Sequence, residues 1–319
     1  MAAFVLAATG CSVNPAWTLQ APPRDAVAVP DGVLPDIPFH PQTEYQCGPA
    51  ALATILGASG VETGPEALAP QVYLPGRQGS LQLELVGATR RAGRIPFVIQ
   101  PTTDALLAEL GEGRPVLVLQ NLLVRTFPRW HYAVVTGTDR DANTLVLNSG
   151  TEQGLEMPAP RFLRTWDWAG RWGLVSLRPG QLPARAEPAA YLAAVADFEA
   201  VAGAQAARPA YVAALQRWPT EPRAHLAMGN QAYAAGDRVD AARHFQAGLA
   251  HAPTDVVLGN NQASVLGELG CLSQARARLQ AVEAALDADS AWRERLAETR
   301  DELERAGARA PHPACASLE

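Results

Sequence analysis

The chain has 319 residues, a formal net charge of −6 and 48% hydrophobic residues, enough for a substantial core and, by length, about two domains. It carries no basic footprint, which argues against a nucleic-acid partner. Its four cysteines, Cys11, Cys47, Cys271 and Cys315, make no CxxC pair and no Cys/His set at zinc spacing, so neither a structural metal nor a disulfide framework is expected, and no cofactor is called for.

Residues 1–11, MAAFVLAATGC, are apolar and then small, too short for a membrane-spanning helix. They resemble the end of a bacterial lipoprotein signal, with Ala8-Thr9-Gly10 before a lipid-accepting Cys11, although no basic segment precedes them. Residues 12–36 hold Pro15, Pro22, Pro23, Pro30 and Pro35 without periodicity, as an extended tether would.

The stretch QTEYQCGPAALATILG, Gln42 to Gly57, places one thiol at the mouth of a predicted helix. Pro49 suits a first helical turn, and Ala50, Ala51, Leu52, Ile55 and Leu56 supply helix formers and a buried face. A helix N-terminus favours thiolate, so Cys47 is a candidate nucleophile with a depressed pKa. Its bland rival is a small buried hydrophobe.

Gly64 to Gly79 is rich in Gly and Pro and reads as a surface loop. Ser80 opens a helix to about Ala92, Ile95–Ile99 a short strand, and Thr103-Asp104 a further helix ended at Gly111 or Gly113. PVLVLQN, WHYAVVTGTD and TLVLNSG are then β-rich runs between turns, with Trp172 to Leu177 as another. Helices first and strands second define an α+β domain over residues 37–179, followed by a linker at 180–187.

From residue 188 to 306 the chain is alanine-rich and repeats with a period of about 34 residues, the units starting at 188, 222 and 256. In the middle unit Gly229, Gly236, Ala241, Phe245 and Pro253 fall at positions 8, 15, 20, 24 and 32, those of a tetratricopeptide repeat. Small residues let paired helices approach and the large residue at 24 fills the gap, so each unit is expected to be a helical hairpin. His225, His244 and His251 lie here without a carboxylate or cysteine completing a ligand set, so no metal is expected. Residues 307–319 read as a disordered tail.

Taken with WHYAVVTGTD, which brings His131 on a later strand, the QTEYQCGPAALATILG stretch resembles the C39 group of papain-like bacterial cysteine peptidases. More narrowly, the chain is similar to C39-like lipoproteins with tetratricopeptide repeats behind the peptidase domain. The resemblance implies Cys47 as nucleophile, His131 as general base, and Asn148, on the strand after that of His131, as the residue that orients the imidazole. It implies Gln42 as oxyanion donor beside the Cys47 N–H, although Gln42 stands one position nearer the cysteine than the family's glutamine. It further implies a peptide or protein substrate, a protein partner on the repeats, and a periplasm-facing cell-envelope location anchored by lipid on Cys11.

Rival readings remain open at each position. His131 can be a structural histidine, Asn148 a turn residue with Asp139 as the alternative orienter, and Gln42 a loop residue. At the level of the whole chain, the rivals are a papain-like binding scaffold without turnover, and acyl transfer or amide hydrolysis on a non-protein substrate.

Overall fold

A computed structural model of the chain describes residues 19, 30–41, 46–185, 187–305 and 310–318. It divides into two units, one comprising the residues to Ala92 with Pro96–Ser176, the other Gly93–Ile95 with Leu177–Glu319. In chain order the elements up to this division are β1 (Gly32–Val33), α1 (Cys47–Ala58), α2 (Pro65–Val72), β2 (Tyr73–Leu74), β3 (Gly79–Ser80), α3 (Gln82–Arg91), β4 (Ile95–Val98), α4 (Thr103–Gly111), β5 (Val116–Asn121), β6 (Trp130–Asp139), β7 (Thr144–Ser149), β8 (Glu152–Pro158), α5 (Ala159–Asp167) and β9 (Gly173–Leu177). The main sheet runs β4-β9-β5-β6-β7-β8, with β1 also on β6, and β2 and β3 form a separate ribbon.

Alternation along the strands builds the core. Leu117 and Leu119 of β5, Tyr132 and Val134 of β6 and Leu174 of β9 pack with Leu52, Ile55 and Leu56 of α1. Each such buried leucine contributes about 1.5–3 kcal/mol. Packing of this kind holds the α1 N-terminus against the sheet. Gln120, buried on β5 between Leu119 and Asn121, donates to Thr165 Oγ1 of α5 at 2.8 Å.

Four stretches differ from the sequence reading. The supposed loop Gly64 to Gly79 contains α2, because Pro65 sits in its first turn and Leu68 and Val72, one turn apart, are buried. Strand β8 was not foreseen because, of its seven residues, only Met157 is buried. Nor was α5, whose anchors are Phe162, Thr165 and Trp166. The supposed tether is partly docked: Gly32 and Val33 pair with Thr138 and Gly137, and the Leu34 N–H donates to Thr136 O at 2.8 Å. Strand β5 covers β6 only along Trp130–Val135, so the rest of that edge has open backbone groups for β1 to satisfy.

The second unit is helical: α6 (Pro188–Ala202), α7 (Ala204–Arg217), α8 (Pro222–Ala234), α9 (Arg238–Leu249), α10 (Val256–Glu268), α11 (Leu272–Ala284) and α12 (Trp292–Arg305). Helices α6, α8 and α10 begin at Pro188, Pro222 and Val256, at even spacing and in step with the sequence repeat, each followed by a partner helix after a short turn. Gly236 and Gly270 take φ of +88° and +76° in the turns after α8 and α10, where a side chain would be strained. A Cβ on Gly229 would come within 2.6 Å of Phe245 Cδ1, so the small residue of α8 admits the large one of α9. Ala263 and Leu279 occupy the equivalent places in α10 and α11, both buried. Among the described residues no helix is long and apolar enough to cross a membrane.

The cysteine expectation is corrected here. Cys271 and Cys315 form a disulfide with Cα atoms 5.5 Å apart, closing a separation of 44 residues that no local spacing reveals. With it the tail is held rather than free: Pro313–Ser317 make a 3-10 turn, the His312 N–H donates to Leu269 O at 2.9 Å, and Leu318 is buried. Chain-entropy arguments assign a closed loop of this length about 4 kcal/mol. Cys315→Ser is therefore expected to lower the melting temperature of the helical unit by several degrees, and reductant to do the same to the wild type but not to the variant, followed by circular dichroism.

Candidate active site

Cys47 is the first residue of α1, after Gln46, whose side chain makes no capping bond. Gly48 is required where it stands, since a Cβ there would lie 2.6 Å from Ser80 Cβ. The β3 end therefore packs against the cysteine's turn. Tyr132 O–H donates to Ser80 O at 3.2 Å, closing the same corner, while the Ser80 hydroxyl has no partner among the described residues.

His131 is the second residue of β6, opposite Gln120. It and Cys47 line one cavity of about 1050 Å³, together with Ser80, Tyr132, Trp130 and Arg129 among others. Its Nε2 lies 2.9 Å from Ser149 Oγ. Asn148 is buried and its Oδ1 accepts the Gly154 N–H at 3.2 Å, a bond that closes the turn between β7 and β8. The ladder accounts for the difference: Asn148 lies opposite Val134, three residues from His131, whereas Ser149 is one step further and in phase with it. Asp139 lies at the other end of β6, accepting the Ala142 N–H at 2.8 Å in the hairpin turn. Gln42 and Cys11 lie outside the described residues. Trp166 is fully buried and donates to Trp172 O at 2.9 Å, and Trp172 meets Tyr132 edge-on at 6.0 Å.

The expected depression of the thiol pKa is reversed. Burial pushes the Cys47 thiol up by more than the backbone N–H groups of Tyr132, Gly48 and Cys47 itself pull it down. Burial, helped by the positive charge of Arg129, pushes His131 down to about 4. Both effects favour the uncharged form, so thiol and neutral imidazole are the resting pair. Cys47 is the one free cysteine among the described residues.

Ser149 carried no sequence signal beyond its neighbours, and Ser80, expected to open a helix, lies instead in β3, with Leu81 standing before the first residue of α3. Ser149 was within view in the VLNSG run, but choosing between it and Asn148 needed the β6–β7 register.

No protein-family model and no curated protein matches the chain. Among solved structures, a protein described as a C39-like peptidase from Bacillus anthracis is 15% identical, with a TM-score of 0.39, over 46% of this chain and 96% of its own. A double glycine motif protease from an AMS/PCAT transporter, in complex with the leader peptide, is 20% identical, with a TM-score of 0.35, over 46% and 96%. The peptidase domain of Streptococcus ComA, a bi-functional ABC transporter involved in quorum sensing, is 19% identical, with a TM-score of 0.37, over 44% and 98%. At such scores the functional reading has to stand on the site itself.

Proposed function

We propose that the first unit is a cysteine peptidase. The observation that carries the reading is the meeting of Cys47, at a helix N-terminus, and His131, at a strand start, on one cavity with backbone N–H groups turned to the sulfur. In the proposed reaction the imidazole takes the thiol proton as sulfur attacks a peptide carbonyl carbon. The C–S bond forms, the C–N bond breaks as imidazolium returns the proton to the leaving amine, and water then hydrolyses the thioester. The Cys47 N–H, with Gln42, would face the oxyanion. If Nε2–H of His131 donates to Ser149 Oγ, Nδ1 is left as the basic nitrogen, which makes Ser149 a positioning residue in competition with Asn148.

The helical hairpins fit a tetratricopeptide-like unit that recruits a protein partner or substrate. The Cys271–Cys315 disulfide is at home in an oxidising compartment, in keeping with a cell-envelope protein lipidated on Cys11. The test is a peptide library digested by the wild type and by Cys47→Ala, read by mass spectrometry, with a thiol-directed electrophile mapped in parallel. Cleavage that persists in the variant, or an electrophile that spares Cys47 in the wild type, would sink the reading.

A further inference from the structure

The chain between β5 and β6, leading into His131, has a character that peptide chemistry does not require. Every residue from 122 to 130 is exposed, so this tip stands clear of the unit's own packing. Yet it is apolar: Leu123 is 53% exposed, Val124 48%, Phe127 76% and Trp130 54%. Arg125 and Arg129 are interleaved with them and there is no acidic residue in NLLVRTFPRW, in a chain of net charge −6. Beside the tip, Leu122 and Leu123 share a recess of about 620 Å³ with Arg161, Arg164 and Trp168, extending the same combination. None of these four arginines is in an ion pair among the described residues, and the nearby Asp167 is paired with Arg171.

The backbone of the tip is also largely satisfied from within. Asn121 Oδ1 accepts the N–H groups of Leu123 and Arg129, its Nδ2 donates to Val124 O, the Leu122 N–H donates to Arg129 O and the Phe127 N–H to Val124 O. Such a tip can leave water without stranding those backbone donors, which is the chief obstacle to placing a loop among lipids.

We propose that this tip and the exposed arginines of α5 bind the surface of an anionic lipid bilayer, with Phe127 and Leu123 entering the acyl boundary, Trp130 at headgroup depth and Arg125, Arg129, Arg161 and Arg164 on lipid phosphates. A protruding apolar tip ringed by arginine suits a deformable interface, where cations remain on phosphate while their stems and the aromatic rings reach the apolar layer. The contact requires neither turnover nor an acyl chain, although two of its residues, Arg129 and Trp130, also line the cavity of Cys47 and His131.

The experiment is co-sedimentation of the full chain carrying Cys11→Ser, so that no acyl chain contributes, with vesicles of phosphatidylcholine alone or with one third phosphatidylglycerol. Binding is expected only to the anionic vesicles and is expected to weaken in high salt. Leu123→Ser with Phe127→Ser is expected to reduce it about tenfold, and Arg125→Gln with Arg161→Gln to reduce it comparably and weaken the salt dependence. Phe127→Ser alone, at the most exposed position, repeats the test with the least risk to folding. Protein that stays in the supernatant, variants that bind as the parent does, or self-association without vesicles that the double serine variant abolishes would each overturn the proposal, the last in favour of a second copy.

Discussion

Replacing His131 with Gln is expected to lower peptide hydrolysis by about a thousandfold under the proposed function, because the thiol is not ionised at rest and must lose its proton during attack. The wild type should hold its activity well below the usual histidine range. Burial and Arg129 place His131 at about 4, so the imidazole is neutral and able to accept a proton above that pH, and is lost as a base only as pH falls through it. Alkylation of Cys47 by iodoacetamide should correspondingly rise only above the ordinary cysteine range, since the raised thiol leaves little thiolate at neutral pH. An acid limb in the ordinary histidine range would instead mean an imidazole that burial leaves unshifted, and fast alkylation in mild acid would mean a preformed thiolate–imidazolium pair. In the same assay Ser149→Ala should lower kcat about tenfold with KM little changed, and Ser149→Thr should recover most of it, since the hydroxyl 2.9 Å from Nε2 is what holds the ring. Asn148→Ala should lower the melting temperature, through the Gly154 bond, and leave kcat near the parent. The reverse pattern would return the orienting role to Asn148.

The second large effect lies in the helical unit. Phe245→Ala is expected to destabilise it by about 3–5 kcal/mol, because the ring is buried and fills the space left open by Gly229. Gly229→Val should cost about 1–3 kcal/mol from the opposite direction, its Cβ arriving within 2.6 Å of that ring. Combining the two should recover part of the loss, since the valine enters room the phenylalanine has vacated. Urea unfolding followed by circular dichroism measures all three, and simple additivity would show that the two side chains do not share one space.

Much of this was legible in the chain itself. The helix at Cys47, the strands at PVLVLQN, WHYAVVTGTD and TLVLNSG, and the even period of the helical unit are written in local patterns of apolar spacing and turn residues, which act over a few residues and need no distant partner. Elements without such a pattern were not legible. Strand β8 presents mostly exposed side chains, and α2 holds a proline, Pro70, inside it, so each owes its form to what it packs against. The residues at 30–36 read as tether because their proline content is local, whereas their ordering comes from an unpaired stretch of β6 far along the chain.

For the site the same division holds. By itself the sequence determined the chemistry available, a lone thiol at a helix start and a histidine entering a strand, since residue type and local element are properties of short stretches. Only the tertiary structure decided how those groups are poised and partnered. Burial is a property of the whole fold, and it reversed the expected thiol shift and pushed the imidazole down. The β6–β7 register, a one-residue matter with opposite consequences for which face a side chain takes, put Ser149 rather than Asn148 at His131. The pairing of Cys271 with Cys315 was decided in the same way, because two cysteines 44 residues apart become neighbours only when the helices between them have packed.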